Sequence, residues 1–204
     1  MSNIDQVLDN LQKEVELYGR SGPDTIFKTD VVFTVSARSF DVPSGADAEA
    51  AIIDFEWFLE CANNGRVTAH PCPNRSWWVQ TFGENSEPYG HRWRLASLKQ
   101  KLQDPSTSRQ AILLNPAGHD KSSCIIFYQF QEVQLGILDV SVFMRSSDLV
   151  KCLPQDVAMT RLLAKHVANA VDLKAGNMTF HIGNAHVFWE DSSFPEEHIF
   201  DVGL

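Results

Sequence analysis

Residues 134–144, Gln134-Leu135-Gly136-Ile137-Leu138-Asp139-Val140-Ser141-Val142-Phe143-Met144, decide the fold class. Leu138, Val140, Val142 and Met144 alternate with Asp139, Ser141 and Phe143. Successive side chains of a strand point to opposite faces, so this alternation predicts a strand in a sheet with unlike faces. Upstream, Cys124 to Phe130 and Ala111 to Leu114 read as further strands, and Val31 to Val42, rich in β-branched and aromatic residues, as one or two more. Downstream, Leu153-Pro154 opens a helix with proline in its first turn. Val157, Leu162, Leu163, Val167 and Val171 mark its buried stripe, Lys174 to Asn177 reads as a turn, and Met178 to Trp189 as another strand.

Further out, Ile4, Val7, Leu8, Leu11 and Val15 recur at helical spacing until Gly19 and Gly22-Pro23. Pro43-Ser44-Gly45 is a turn signal. Asp47 to Ala62 reads as a helix capped by Asp47, with Ile52, Ile53, Trp57 and Phe58 facing inward and Asn63-Asn64-Gly65 ending it. Residues 66–94 show no clean period and carry Trp77, Trp78, Phe82, Tyr89 and Trp93 among prolines and glycines. Such a stretch is either a binding wall or a loop that seals the core. Leu95 to Leu102 is a short helix, and Ser192 to Leu204 reads as irregular surface. No repeat or low-complexity linker divides the 204 residues, and one α+β domain over residues 1–204 is expected.

The chain has 44% apolar residues, 13 Phe, 5 Trp and a formal net charge of −9. The aromatics exclude a disordered chain, and the acidity argues against general nucleic-acid binding, which needs clustered cations. The N-terminus lacks the pattern of a signal peptide, and no membrane span is expected, which points to a cytoplasmic protein with reduced thiols. None of the four cysteines forms a Cys-x-x-Cys pair, and no metal site is expected around His181 and His186.

Several residues carry potential chemistry. Cys124 starts an apolar strand, where a cysteine is either a small hydrophobe or a nucleophile. Arg145-Ser146-Ser147-Asp148 offers a guanidinium with adjacent hydroxyls, which suits a phosphate; the alternative is a surface Arg–Asp pair. Asp156 lies in the first turn of a helix, where the helix dipole alone favours a carboxylate. His186 is either a partner for a sugar hydroxyl or a satisfied sheet histidine.

The order of these pieces resembles the thymidylate synthase family, which includes the phage deoxypyrimidine-monophosphate hydroxymethylases. Ile52-Ile53-Asp54-Phe55-Glu56-Trp57-Phe58-Leu59 resembles the family's helix ending in Trp-Phe-Leu, and Tyr89-Gly90-His91-Arg92-Trp93-Arg94 its Tyr-Gly-x-x-Trp-Arg. Ser108-Arg109-Gln110 falls where the family has Ser-Arg-Arg. Cys124 to Phe130 resembles Cys-His-x-x-x-Gln-Phe, and Arg145-Ser146-Ser147-Asp148 matches Arg-Ser-x-Asp. Leu153-Pro154-Gln155-Asp156 is similar to Leu-Pro-Phe-Asn, and Gly183-Asn184-Ala185-His186-Val187-Phe188 to Gly-Asp-x-His-x-Tyr. The stretch runs from Ile52 to about Trp189.

The resemblance implies an α+β, thymidylate-synthase-like fold: a mixed or antiparallel sheet packed with helices and shortened at the C-terminal end. It implies that the Cys124 thiolate adds to C6 of a pyrimidine deoxynucleoside monophosphate, and that C5 then attacks the one-carbon unit of 5,10-methylenetetrahydrofolate. Nearby arginines are expected to lower the Cys124 pKa. Arg145 and Ser146 would hold the 5′-phosphate, Arg109 the phosphate of the other subunit in a homodimer with shared sites, and His186 the 3′-hydroxyl. Tyr89 would assist removal of the C5 proton. Asp148 and Trp78 fall on the folate side. The proton-relay carboxylate is Asp54 by count from Trp57, with Glu56 as the alternative.

Asp156 stands where the synthases have asparagine, and Ile125 where they have histidine. A carboxylate suits the amino edge of cytosine, as in the deoxycytidylate hydroxymethylases, to which the key residues are closest. The expected activity is therefore hydroxymethylation of dCMP at C5, supplying a modified base for phage DNA in the host cytoplasm. A thymidylate synthase, a dUMP hydroxymethylase and a non-catalytic nucleotide-binding relative are the alternatives.

Overall fold

The computed structural model describes residues 4–38, 42–83, 87–104, 106–115 and 124–193. Helix α1 (Ile4–Tyr18) buries Ile4, Leu11 and Val15. Strands β1 (Arg20–Ser21) and β2 (Thr25–Ser36) follow, then α2 (Ala48–Asn64), α3 (Trp77–Phe82) and α4 (Leu95–Gln103). Strands β3 (Ile112–Leu114), β4 (Ile125–Gln134), β5 (Ile137–Met144) and β6 (Ser147–Asp148) lead to helix α5 (Leu153–Ala170) and the long strand β7 (Lys174–Phe188).

The sheet is mixed, as expected, with order β1-β2-β7-β5-β4-β3 and β6 beside the end of β7. Its pairs are antiparallel except β5 and β6 with β7. Parallel neighbours need a crossover, and α5 supplies it. Residues 137–144 alternate half-buried and buried, with Leu138, Val140, Val142 and Met144 inward. They meet Met178, Phe180 and Ile182 of β7 and the buried stripe of α5 in one core. The opposite face carries a half-buried ladder, with Phe127 stacked on Phe143 and Phe143 on His181.

Four readings of local structure are corrected. The strand expected over 31–42 is β2, which starts at Thr25 and ends at Ser36, because its polar segment keeps pairing with β7 as far as Thr25↔Phe188. Residues 39–41 lie outside the described residues. The strand expected over 134–144 is cut at its start by the Leu135-Gly136 turn, with Gly136 at φ 81°. Lys174 to Asn177 is strand rather than turn. The chain reverses earlier, at Asp172 with φ 58°, and Gly176-Asn177 marks an irregularity in the ladder. There the Asp139 carboxylate accepts from Asn177 N at 2.7 Å, and a Cβ on Gly176 would lie 1.9 Å from it. Finally, Ile52 is exposed rather than inward. The buried stripe of α2 is Ala50, Ala51, Asp54, Phe55, Trp57, Phe58 and Cys61.

Helix α2 is capped as its sequence predicts. Asp47 Oδ1 accepts from Ala50 N at 2.9 Å, and Gly65 ends the helix at φ 62°. The turn at Tyr89–Arg92 packs directly on the backbone of α2: a Cβ on Gly90 would sit 2.1 Å from the Phe58 carbonyl oxygen. Gly90→Ala must therefore push two backbones apart, and it is expected to lower unfolding free energy by about 2–3 kcal/mol, measured by urea denaturation. An alanine variant as stable as the parent would contradict this packing. The expected irregular tail at 194–204 lies outside the described residues.

Candidate active site

The parallel β5–α5–β7 unit aligns the end of β5, the first turn of α5 and the far part of β7 at one rim. There they enclose a cavity of about 330 Å³ together with Cys124, just ahead of β4. Arg145, Ser146, Ser147 and Asp148 line it from the β5–β6 link, Cys152 and Asp156 from the start of α5, His186 and Phe188 from β7, and Tyr89 and Phe82 from the helical segments above. A larger, shallower cleft of about 810 Å³ at the other end of the sheet is lined by Arg38, Lys165 and Lys174 and holds none of the predicted residues. We place the chemistry at the smaller cavity because the reactive groups converge there.

Cys124 is half-buried. Arg145 Nη2 donates to its Sγ at 3.9 Å, Arg145 Nη1 donates to Ser146 Oγ at 2.9 Å, and the Arg145 N–H donates to the Cys124 carbonyl at 2.9 Å. The expectation of a lowered thiol pKa is reversed. Burial, and then the charge of Asp156, push the Cys124 thiol up; Arg145 and Ser146 pull the other way and lose. Ser147 Oγ is buried at the cavity wall with no partner among the described residues.

Asp156 is 6% exposed, and burial pushes its carboxyl up to about 7. Near neutral pH it is therefore divided between the acid, a donor and an acceptor, and the carboxylate, an acceptor only. Its position is fixed by Gln155, which the sequence reading passed over. Gln155 Oε1 accepts from Asp47 N at 3.1 Å and its Nε2 donates to Asp47 O at 3.4 Å, locking the start of α5 to the start of α2. Tyr89 is buried, and burial followed by the charges of Asp156 and Cys124 holds its hydroxyl well above the usual phenol range. It stays protonated, a hydroxyl that can both donate and accept. Asp148 Oδ1 accepts from Val150 N and Lys151 N at 2.9 and 3.1 Å, and Asp148 is in register with His186 across β6 and β7. The His186 ring meets Phe188 edge-on at 5.4 Å.

Of the two carboxylates left open by the sequence, Asp54 is 1% exposed and Glu56 lies on the solvent face of α2. Two residues along a helix is about 200° of rotation, so only one of them can face the core. Asp54 accepts from Ser76 Oγ at 2.5 Å, His70 Nε2 at 2.9 Å and Trp78 N at 2.9 Å. It reaches the cavity indirectly, across a void shared with Tyr89, Tyr128 and Asp156. Trp78 is a core residue, packed against Phe58, Phe82 and Tyr89, not a wall of the main cavity. Arg109 is exposed and stands apart from this cavity. Its carbonyl accepts from Gln129 Nε2 at 3.4 Å, beside the aromatic ladder of the open sheet face. The sequence reading assigned no role to Gln155, His70, Ser76 and Cys152: the last three lie outside the motifs, and Gln155 stands where the family's motif has phenylalanine.

The model of the thymidylate synthase family matches residues 2–200. The chain belongs to that family. The family is one of one-carbon transferases that use methylenetetrahydrofolate and a pyrimidine nucleotide, and its members are typically dimers. Among the described residues no helix is long and apolar enough to cross a membrane.

Proposed function

We propose that this protein hydroxymethylates dCMP at C5. The observation that carries the reading is Asp156: a buried carboxyl that titrates near neutrality and lines the same cavity as Cys124. A pyrimidine stacked over the thiol turns its 4-position toward Asp156. The carboxylate accepts from the amino group of cytosine, and its acid form adds the proton that N3 requires. Cys124 Sγ bonds to C6, and the ring electrons pass to C5, which becomes the nucleophile. Arg145 and Ser146 hold the phosphate at the rim and His186 meets the sugar. Asp54 moves protons to and from the ring through water.

Two observations support a fit for the folate. Asp148 Oδ2 has no hydrogen bond among the described residues, which leaves an acceptor for an amino-pterin edge, and Phe82, 43% exposed, offers a ring surface at the mouth. When bound, the folate supplies the one-carbon unit at the oxidation level of formaldehyde. Ile125 in place of a histidine removes a polar group beside the nucleophile and fits a changed base edge. We also assign the shared-site homodimer to the open sheet face. Its ladder of Phe127, Phe143 and His181, flanked by exposed Val32, needs cover, and Arg109 stands at its edge to reach a partner's phosphate.

The test is release of tritium from 5-tritiated dCMP and dUMP, with and without the folate, and the mass of the product. The expected result is folate-stimulated release from dCMP and a product heavier by a hydroxymethyl group. Release from dUMP alone, or a methyl product with dihydrofolate formed, would identify a synthase instead. Binding without release from either base would identify a non-catalytic relative.

A further inference from the structure

We propose that His70 is a positioning residue for Asp54, and that the two act with a single water held in the void between Asp54 and Asp156. This rests on the reading of Asp54 as the carboxylate that relays protons. His70 lies in the stretch without period and belongs to none of the motifs, yet its side chain is 4% exposed. Its Nδ1 accepts from Cys72 N at 3.0 Å, so the ring proton sits on Nε2 and is donated to Asp54 Oδ1 at 2.9 Å. The Trp57 ring closes on the imidazole edge-to-face at 4.7 Å. Ser76 Oγ accepts from Val79 N at 2.9 Å and donates to the same Oδ1. Both acceptor positions of Oδ1 are thereby filled. Oδ2 receives only Trp78 N and keeps one.

That remaining position adjoins a void of about 10 Å³, enclosed by Asp54, Trp78, Tyr89, Tyr128 and Asp156 among others. It is room for one water, which needs two to four polar partners. One partner stands waiting. Trp78 Nε1 is buried with no acceptor among the described residues, and a buried donor left unmade costs roughly 1–3 kcal/mol. A water there accepts from Trp78 Nε1 and from the protonated Asp156 carboxyl, and donates to Asp54 Oδ2. It can then take a proton from the Asp156 carboxyl while giving one to Asp54, which conserves charge within the pair. His70 touches nothing in the main cavity, so its contribution falls on proton movement and not on nucleotide binding.

The test compares His70→Leu and His70→Gln in the full chain. His70→Leu is expected to lower kcat for tritium release from dCMP by about tenfold to a hundredfold, the usual cost of a misplaced group. KM should stay within about twofold, the signature of an interaction that matters after binding. Gln, which keeps an N–H donor, should recover most of the loss. Unchanged kcat in the leucine variant, or an equal collapse of kcat and stability in both variants, overturns the proposal. Nitrogen NMR of the unaltered protein gives a readout that needs neither folding variants nor turnover. His70 should appear as the Nε2–H tautomer, with its proton shifted downfield by the bond to Asp54; an Nδ1–H tautomer overturns the proposal. If the wild type releases tritium from neither base while this signature is present, it is the functional reading that fails.

Discussion

Replacing Cys124 with serine is expected to abolish C5 tritium release, by at least about 10³-fold, while leaving nucleotide binding within a few-fold. The hydroxyl is close in size to the thiol but far less nucleophilic near neutral pH, and the phosphate and sugar contacts assigned to Arg145, Ser146 and His186 remain. Equilibrium binding of dCMP, followed by calorimetry, separates this outcome from misfolding. Retained release in the serine variant would remove Cys124 from the reaction. The environment adds a second expectation. Burial and Asp156 push the thiol above its ordinary range, so the rate of alkylation by iodoacetamide should rise with pH well into the alkaline region. Asp156→Asn removes one of those two causes and should move the alkylation profile to lower pH.

The same Asp156→Asn variant carries the other large effect. It should shift the ratio of kcat/KM for dCMP over dUMP toward dUMP by about 10²-fold or more, since a site built for one hydrogen-bond pattern leaves buried groups unpaired with the other. Equal preference in both variants would assign base recognition elsewhere. Stability should change as well, and its sign follows from linkage. The carboxyl titrates near 3.8 when free and near 7 in the fold, so the native state holds a proton that the unfolded chain has released. Stability from this group is intact below about pH 4, falls as pH rises toward 7, and stays reduced above it. The full cost approaches about 4 kcal/mol for a shift of this size. Asp156→Asn carries no such cost, so its melting temperature relative to the parent should climb between pH 4 and 7 and level off beyond. A difference that does not vary with pH would contradict the buried, near-neutral carboxyl.

The sheet was legible because its central strand alternates without interruption, and the cavity because Cys124, Arg145, Ser146, Asp148, Asp156 and His186 sit in motifs whose order is distinctive. Local sequence misled where tertiary contacts override propensity. Gly176-Asn177 has turn residues, but the Asp139 carboxylate occupies the space of a side chain there and the strand runs through. Arg145 argued for a lowered thiol pKa, yet the opposing terms, burial and the charge of Asp156, arise from packing, which no motif reports. Count from Trp57 pointed to Asp54 with Glu56 as the alternative; what no count could show is that α2 buries the first and exposes the second. His70 was illegible because its partner lies 16 residues earlier across an irregular segment.

The parallel pairing of β5 with β7 has a kinetic meaning. Those strands cannot meet until the intervening α5 has folded back, and the cavity also needs Tyr89 and Cys124 from distant parts of the chain. Closing such long loops precedes any gain from the contacts they make, so topologies of this kind assemble slowly. The rim is thus among the last regions to be completed during refolding, and recovery of nucleotide binding reports a finished molecule in a way that recovery of helix content cannot.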